Sequence, residues 1–142
     1  MTMNDVERAD RMSRARAALM ALAAAVLLIN VVIQYGHSEY SGPGVRGASW
    51  LVMIGLWAFI LWNGGGFRRD PRVCELLNDE LSLQNRARAL AAGFYAGIAA
   101  ALFVYVLDWS TPVPTGDALK IVSGGAMAIA LACYAALEWR QR

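Results

Sequence analysis

Uncharged, mostly apolar residues run without interruption from Ala17 to Tyr35, and comparable runs recur at Gly47–Asn63, Ala89–Leu107 and Ala118–Leu137, the last broken only by Lys120. Runs of this length approach the ~20 residues that a helix needs to cross a ~30 Å hydrocarbon layer. The polar stretches between them are of two kinds. Two are short, Gly36–Arg46 with Gly42-Pro43-Gly44, and Asp108–Gly116 with Pro112 and Pro114; they read as loops because proline cannot continue a helix and glycine bends freely. The third, residues 64–88, is longer and heavily charged. The pattern predicts an all-α chain: a single membrane domain over residues 1–142, built as a four-helix bundle of two transmembrane hairpins with spans at about 17–35, 47–63, 89–107 and 118–137.

The amino-terminal stretch Asn4–Arg16 is helix-prone, with Glu7 to Arg11 and Asp10 to Arg14 at the favourable i to i+4 spacing, and should lead directly into the first span. That run exceeds the usual ~15-residue core of a signal peptide, and no small-x-small cleavage pattern follows it, so a retained span is expected. Trp50 and Trp62 bracket the second span, as amphipathic rings do at two interfaces.

In the long polar stretch Gly64-Gly65-Gly66 reads as a hinge, and Asp70-Pro71 as a helix start, aspartate at the N-cap and proline at the first position. Val73, Leu76, Leu77 and Leu81 then fall on one helical stripe. No breaker follows before Gly93, so the amphipathic helix is expected to continue into the third span as its helical extension.

Charge orients the chain. Arg8, Arg11, Arg14 and Arg16, then Arg68, Arg69, Arg72, Arg86 and Arg88, then Arg140 and Arg142, all fall on one side, leaving Arg46 and Lys120 on the other. By the positive-inside rule both termini and residues 64–88 face the cytoplasm. The net charge of +2 is too small to argue direct nucleic-acid binding. Ser13-Arg14-Ala15-Arg16-Ala17 is echoed by Asn85-Arg86-Ala87-Arg88-Ala89. This echo is either chance in an alanine-rich chain or the trace of a parallel duplication, whose halves would pack about a pseudo-twofold axis along the membrane normal.

Helices in lipid associate by close backbone approach, and three rows of small residues at four-residue spacing offer it. They are Ala17, Ala21, Ala25; Gly93, Gly97, Ala101; and Gly124, Ala128, Ala132, Ala136. The same rows leave self-association into a homo-oligomer open.

The chain is poor in chemistry. A membrane enzyme or proton-coupled carrier usually keeps an ionisable residue at depth, and the four expected spans hold none; Lys120, at an outer mouth, can snorkel. Asn30 and Gln34, four residues apart, suit a bond to a neighbouring helix. His37 is the only histidine, which excludes bis-histidine haem and di-iron sites. Cys74 and Cys133 differ too much in depth to pair. No catalytic residue, metal site or cofactor is expected.

What remains is the central helix. It could lie in the headgroups on Leu76, Leu77 and Leu81, but Glu75, Asp79 and Glu80 would then face an anionic leaflet, which is unfavourable. A protein partner with a basic surface and an apolar groove suits these residues better. The run Glu75-Leu76-Leu77-Asn78-Asp79-Glu80-Leu81, then Asn85-Arg86-Ala87-Arg88-Ala89 leading into Gly93-Phe94-Tyr95, resembles the central segment of a group of uncharacterised bacterial small four-span membrane proteins. Those proteins are often encoded beside a small Xre-type helix-turn-helix regulator. Over about thirty residues the likeness is close, although Leu81-Ser82-Leu83 stands where the group carries a more polar spacer. The resemblance implies a non-enzymatic membrane protein that tethers and inhibits such a DNA-binding partner through Glu75–Leu81, Asn85 and Arg86. A small transporter or channel subunit, with Asn30, Gln34 and Lys120 at its outer vestibule, is the competing reading; a structural subunit of a larger membrane complex is a third.

Overall fold

The computed structural model describes residues 3–34, 43–63 and 80–140. Among them the chain is all-helical, with four helices and no strand: α1 (Met3–Gln34), α2 (Pro43–Trp62), α3 (Glu80–Asp108) and α4 (Thr115–Arg140). Three of these, α1, α3 and α4, are long and apolar enough to cross a membrane, while α2 carries a shorter apolar stretch, Ala48–Trp62. The charged leader and the first apolar run form one helix, and Glu80–Arg88 continue unbroken into the third. The glycine hinge and the helix start at Asp70-Pro71 lie outside the described residues.

Two boundaries differ from the sequence pattern. The second helix begins at Pro43, inside the expected loop, because proline in the first turn forfeits no hydrogen bond. The fourth begins at Thr115: the Pro114 carbonyl accepts from the amides of Asp117 at 2.9 Å and Ala118 at 3.0 Å. Asp117 in that first turn complements the positive end of the helix dipole. Between α3 and α4 only six residues remain, held by Asp108, whose Oδ1 accepts from the Val113 amide at 2.8 Å.

The central helix is α4. It packs most extensively on α3, nearly as much on α1 and over a smaller area on α2. Both main contacts are antiparallel. Gly93 of α3 lies against Ala130 and Gly97 against Ala126, while Arg16 of α1 reaches Glu138 and Val31 approaches Gly124. The first and last helices therefore bring Arg16 and Glu138 to the same end of the layer. Among the described residues α1 and α2 share nothing comparable to the α3–α4 contact, so the sequence echo is not matched there by equivalent packing.

The core comprises Met20, Ala23, Ala24 and Leu27 of α1, Leu61 of α2, Ala89 of α3, and Ala128, Ala130, Leu131, Tyr134 and Ala135 of α4. Its spacing alternates between three and four residues: Ala17, Met20, Ala24, Leu27 on α1, and Gly124, Ala128, Leu131, Ala135 on α4. That average of 3.5 keeps a side chain facing a neighbour crossing at a shallow angle. A strict four-residue row instead drifts about 40° per step at ~100° per residue. All three small-residue rows show the drift: Ala17, Gly93, Gly124 and Ala128 are buried, Ala21 and Gly97 partly so, and Ala25, Ala101, Ala132 and Ala136 are exposed. The outward surface is strongly apolar, with Leu22, Val32, Val52, Phe94, Tyr95 and Phe103 exposed.

Candidate functional site

The densest polar arrangement in the described chain is buried, at the end of the layer where α1 enters it and α4 leaves it. Arg16, 8% exposed, sits one residue before the first apolar run. Its Nη2 donates to the Tyr134 hydroxyl and, at 3.3 Å, to Ser82 Oγ. The same nitrogen lies 3.8 Å from Glu138 Oε1, and Cζ stands 5.7 Å from the centre of the Tyr134 ring, within cation–π range. Three helices thus share one guanidinium. Nε is buried too and makes no hydrogen bond.

Local sequence explains how each helix delivers its part. Tyr134 and Glu138 are four apart on α4, which stacks them on one face. Ser82 and Asn85 are three apart on α3 and open the buried stripe that Ala89 continues. Arg16 projects from the turn that precedes the α1 core residue Met20, so its charge is carried inward beside that apolar row.

A second arginine ties α2 into the same end. Arg86 Nη1 donates at 2.9 Å to the carbonyl of Trp62, the last residue of α2. A cation on a terminal carbonyl both satisfies an otherwise unpaired acceptor and opposes the negative end of the helix dipole. At the opposite end Trp50 Nε1 donates to Ser123 Oγ at 3.0 Å, and that hydroxyl donates in turn to the Leu119 carbonyl at 2.6 Å. Gly124 beside them admits both Val31 and Trp50, since a Cβ there would stand 2.5 Å from Val31 Cγ2 and 3.1 Å from Trp50 Cζ2. Here α1, α2 and α4 meet.

Comparison of the chain with protein-family models, with curated proteins and with solved structures gives no match. The arrangement has to be judged on its own chemistry. A charged group held among hydroxyls, an aromatic face and one carboxylate is a polar junction between helices. It offers neither an activated nucleophile nor a convergent ligand set, and among the described residues no group of three or more His, Cys, Asp or Glu side chains could hold a metal ion.

The residues expected to meet a partner fall into three sets. Glu75, Leu76, Leu77, Asn78 and Asp79, together with Cys74 and His37, lie outside the described residues. Glu80 and Leu81 form the first turn of α3. Asn85 is fully buried, and Arg86, partly buried, donates its Nη1 to the end of α2. At the other end Lys120 Nζ pairs with Asp117 Oδ1 at 3.3 Å, one turn nearer the start of α4, both side chains being largely buried. Asp117 and Arg16 do not stand out in the sequence because each flanks an expected span, and Tyr134 because it lies within the fourth. The i, i+3 spacing of Asp117 and Lys120 was the available signal for the first. For the second it was Tyr134 and Glu138 on the face of α4 that also carries Leu131.

Proposed function

We propose that the chain is a four-span inner-membrane protein, both termini cytoplasmic, which docks and restrains a small helix-turn-helix DNA-binding regulator through the segment Glu75–Leu81. The fourth span is α2: its 20 residues reach about 30 Å at ~1.5 Å per residue, and it lies alongside its neighbours at two levels, Trp50 against Ser123 of α4 and its last residue, Trp62, against Arg86 of α3. Orientation rests on the arginines at the Arg16 end.

One observation carries the docking reading. Three carboxylates and three leucines occur together in a seven-residue segment that joins α3 directly and is not needed for α3 to span the bilayer. Glu75, Asp79 and Glu80 can occupy the basic surface with which such a regulator meets phosphates, while Leu76, Leu77 and Leu81 fill an apolar groove. With Asn85 buried and Arg86 bonded to the end of α2, the docking face proposed ends at Leu81.

The test is the paired reversal Asp79→Lys and Glu80→Lys in the full-length protein. Like charges across an interface cost several kcal/mol, so the regulator that co-purifies from native membranes should be released and its target promoters should change activity. If no helix-turn-helix protein co-purifies with the unmodified chain, the reading is wrong.

A further inference from the structure

The polar contacts between helices at the Arg16 end converge on two turns of α3. Ser82 is reached by Arg16 of α1, which itself holds Tyr134 and Glu138 of α4, and Arg86 reaches the last carbonyl of α2. Further along, α3 is attached differently. Gly93 and Gly97 set its backbone directly on Ala126 and Ala130 of α4. The most apolar window of α3 is only 11% buried, against 33% in α1 and in α4, so much of α3 faces outward although its contact with α4 is the most extensive in the molecule.

We propose that Arg16 and Arg86 make the start of α3 a joint, which fixes how the first turns of α3 sit against α1 and α2 and makes that placement depend on the position of α1. The two attachments of α3 are separable, since Ser82 and Gly93 are eleven residues apart, about 16 Å along the helix at ~1.5 Å per residue. The joint is also adjustable. A guanidinium carries five N–H donors, yet Nη2 alone makes all three polar contacts and Nε makes none. A small shift of α1 can therefore exchange one donor for another without stranding Tyr134 or Glu138. The inference does not depend on the docking reading, because its readout is α3 itself.

The experiment is amide hydrogen exchange on the full-length protein in lipid nanodiscs. Ser82→Ala removes the α3 partner and leaves Arg16, Tyr134 and Glu138 in place. Arg16→Lys acts from α1, keeping the charge but replacing the planar fork with a point donor. Each should raise exchange across residues 80–88 at least tenfold, with residues 93–101 of α3 and 124–131 of α4 unchanged. Ser82→Ala decides the matter even if Arg16→Lys fails to fold. Unchanged exchange across residues 80–88 would overturn the proposal. An equal rise over residues 80–101 would overturn it too, since the cluster would then be ordinary packing.

Discussion

Replacing Gly93 by alanine tests the contact that places α3 on α4. The added methyl carbon would stand 2.8 Å from Ala130 Cβ and 2.9 Å from the Ala126 carbonyl oxygen. Carbon atoms rest at about 3.5–4.0 Å, so the methyl intrudes by most of an ångström, and one of its two obstacles is backbone that cannot rotate away. The helices must separate, at a cost of about 1–3 kcal/mol for overpacking. Alanine also favours a helix over glycine by about 1 kcal/mol, a gain that obscures the comparison with the parent protein. Gly125→Ala supplies the reference, because nothing lies within 4 Å of a Cβ at that position. Gly93→Ala should be about 1–3 kcal/mol less stable than Gly125→Ala, with Gly97→Ala between them, since its methyl would meet only Ala126 Cβ, at 3.2 Å. The double variant Gly93→Ala, Gly97→Ala should cost less than the sum, because the first methyl has already opened the seam that the second would enter. Sodium dodecyl sulfate titration in mixed micelles, followed by tryptophan fluorescence, gives the ordering. Equal midpoints for Gly93→Ala and Gly125→Ala would refute the argument.

Arg16→Ala should destabilise by about 3–5 kcal/mol, the cost of leaving one member of a buried ion pair behind; adding Glu138→Gln should recover part of that, which the same titration reads. Trp50→Phe removes the hydrogen bond to Ser123 and should cost about 0.5–1.5 kcal/mol in thermal unfolding, with no further loss when Ser123→Ala is added. Cysteines placed at the exposed positions Ser110 and Arg88 report orientation: in intact cells a membrane-impermeant thiol reagent should label the first and spare the second, and the opposite pattern inverts the proposed topology.

The elements were legible because their signals are local. Apolar runs of sufficient length, prolines at 112 and 114, and the lack of a breaker between Glu80 and Gly93 suffice to place α1, α4 and the end of α3 within a few residues. The facing sides were less legible. A glycine or alanine every fourth residue marks where two backbones can approach, but the angle of approach decides how long the row stays in contact. Gly93 and Gly97 meet α4 while Ala101 has already turned outward. Reading the turn requires knowing which helix is the neighbour. Sequence offers no such knowledge when α4 serves as partner to three helices.

The Arg16 cluster was illegible for a related reason, and its existence alters how the charge pattern is used. Its members are 66 and 118 residues apart in the chain, so no window of sequence contains two helices of it. Counted along the chain, Arg16 and Arg86 look like two more flanking cations; in three dimensions one is the hub of a buried junction and the other a helix cap. Of the arginines at that end whose side chains are described, Arg11, Arg14, Arg88 and Arg140 remain exposed. The positive-inside argument needs only an imbalance, and the imbalance persists, because the described cation at the other end, Lys120, is paired with Asp117 and largely buried. On the proposed topology, orientation and internal bonding draw on different arginines. Arg16→Gln should therefore loosen the junction while leaving the direction of insertion unchanged, whereas replacing Arg11, Arg14, Arg88 and Arg140 together by glutamine should disturb insertion and leave the Arg16–Tyr134 contact intact. Labelling at Ser110 distinguishes the two, and a change of labelling with Arg16→Gln alone would contradict this division of roles.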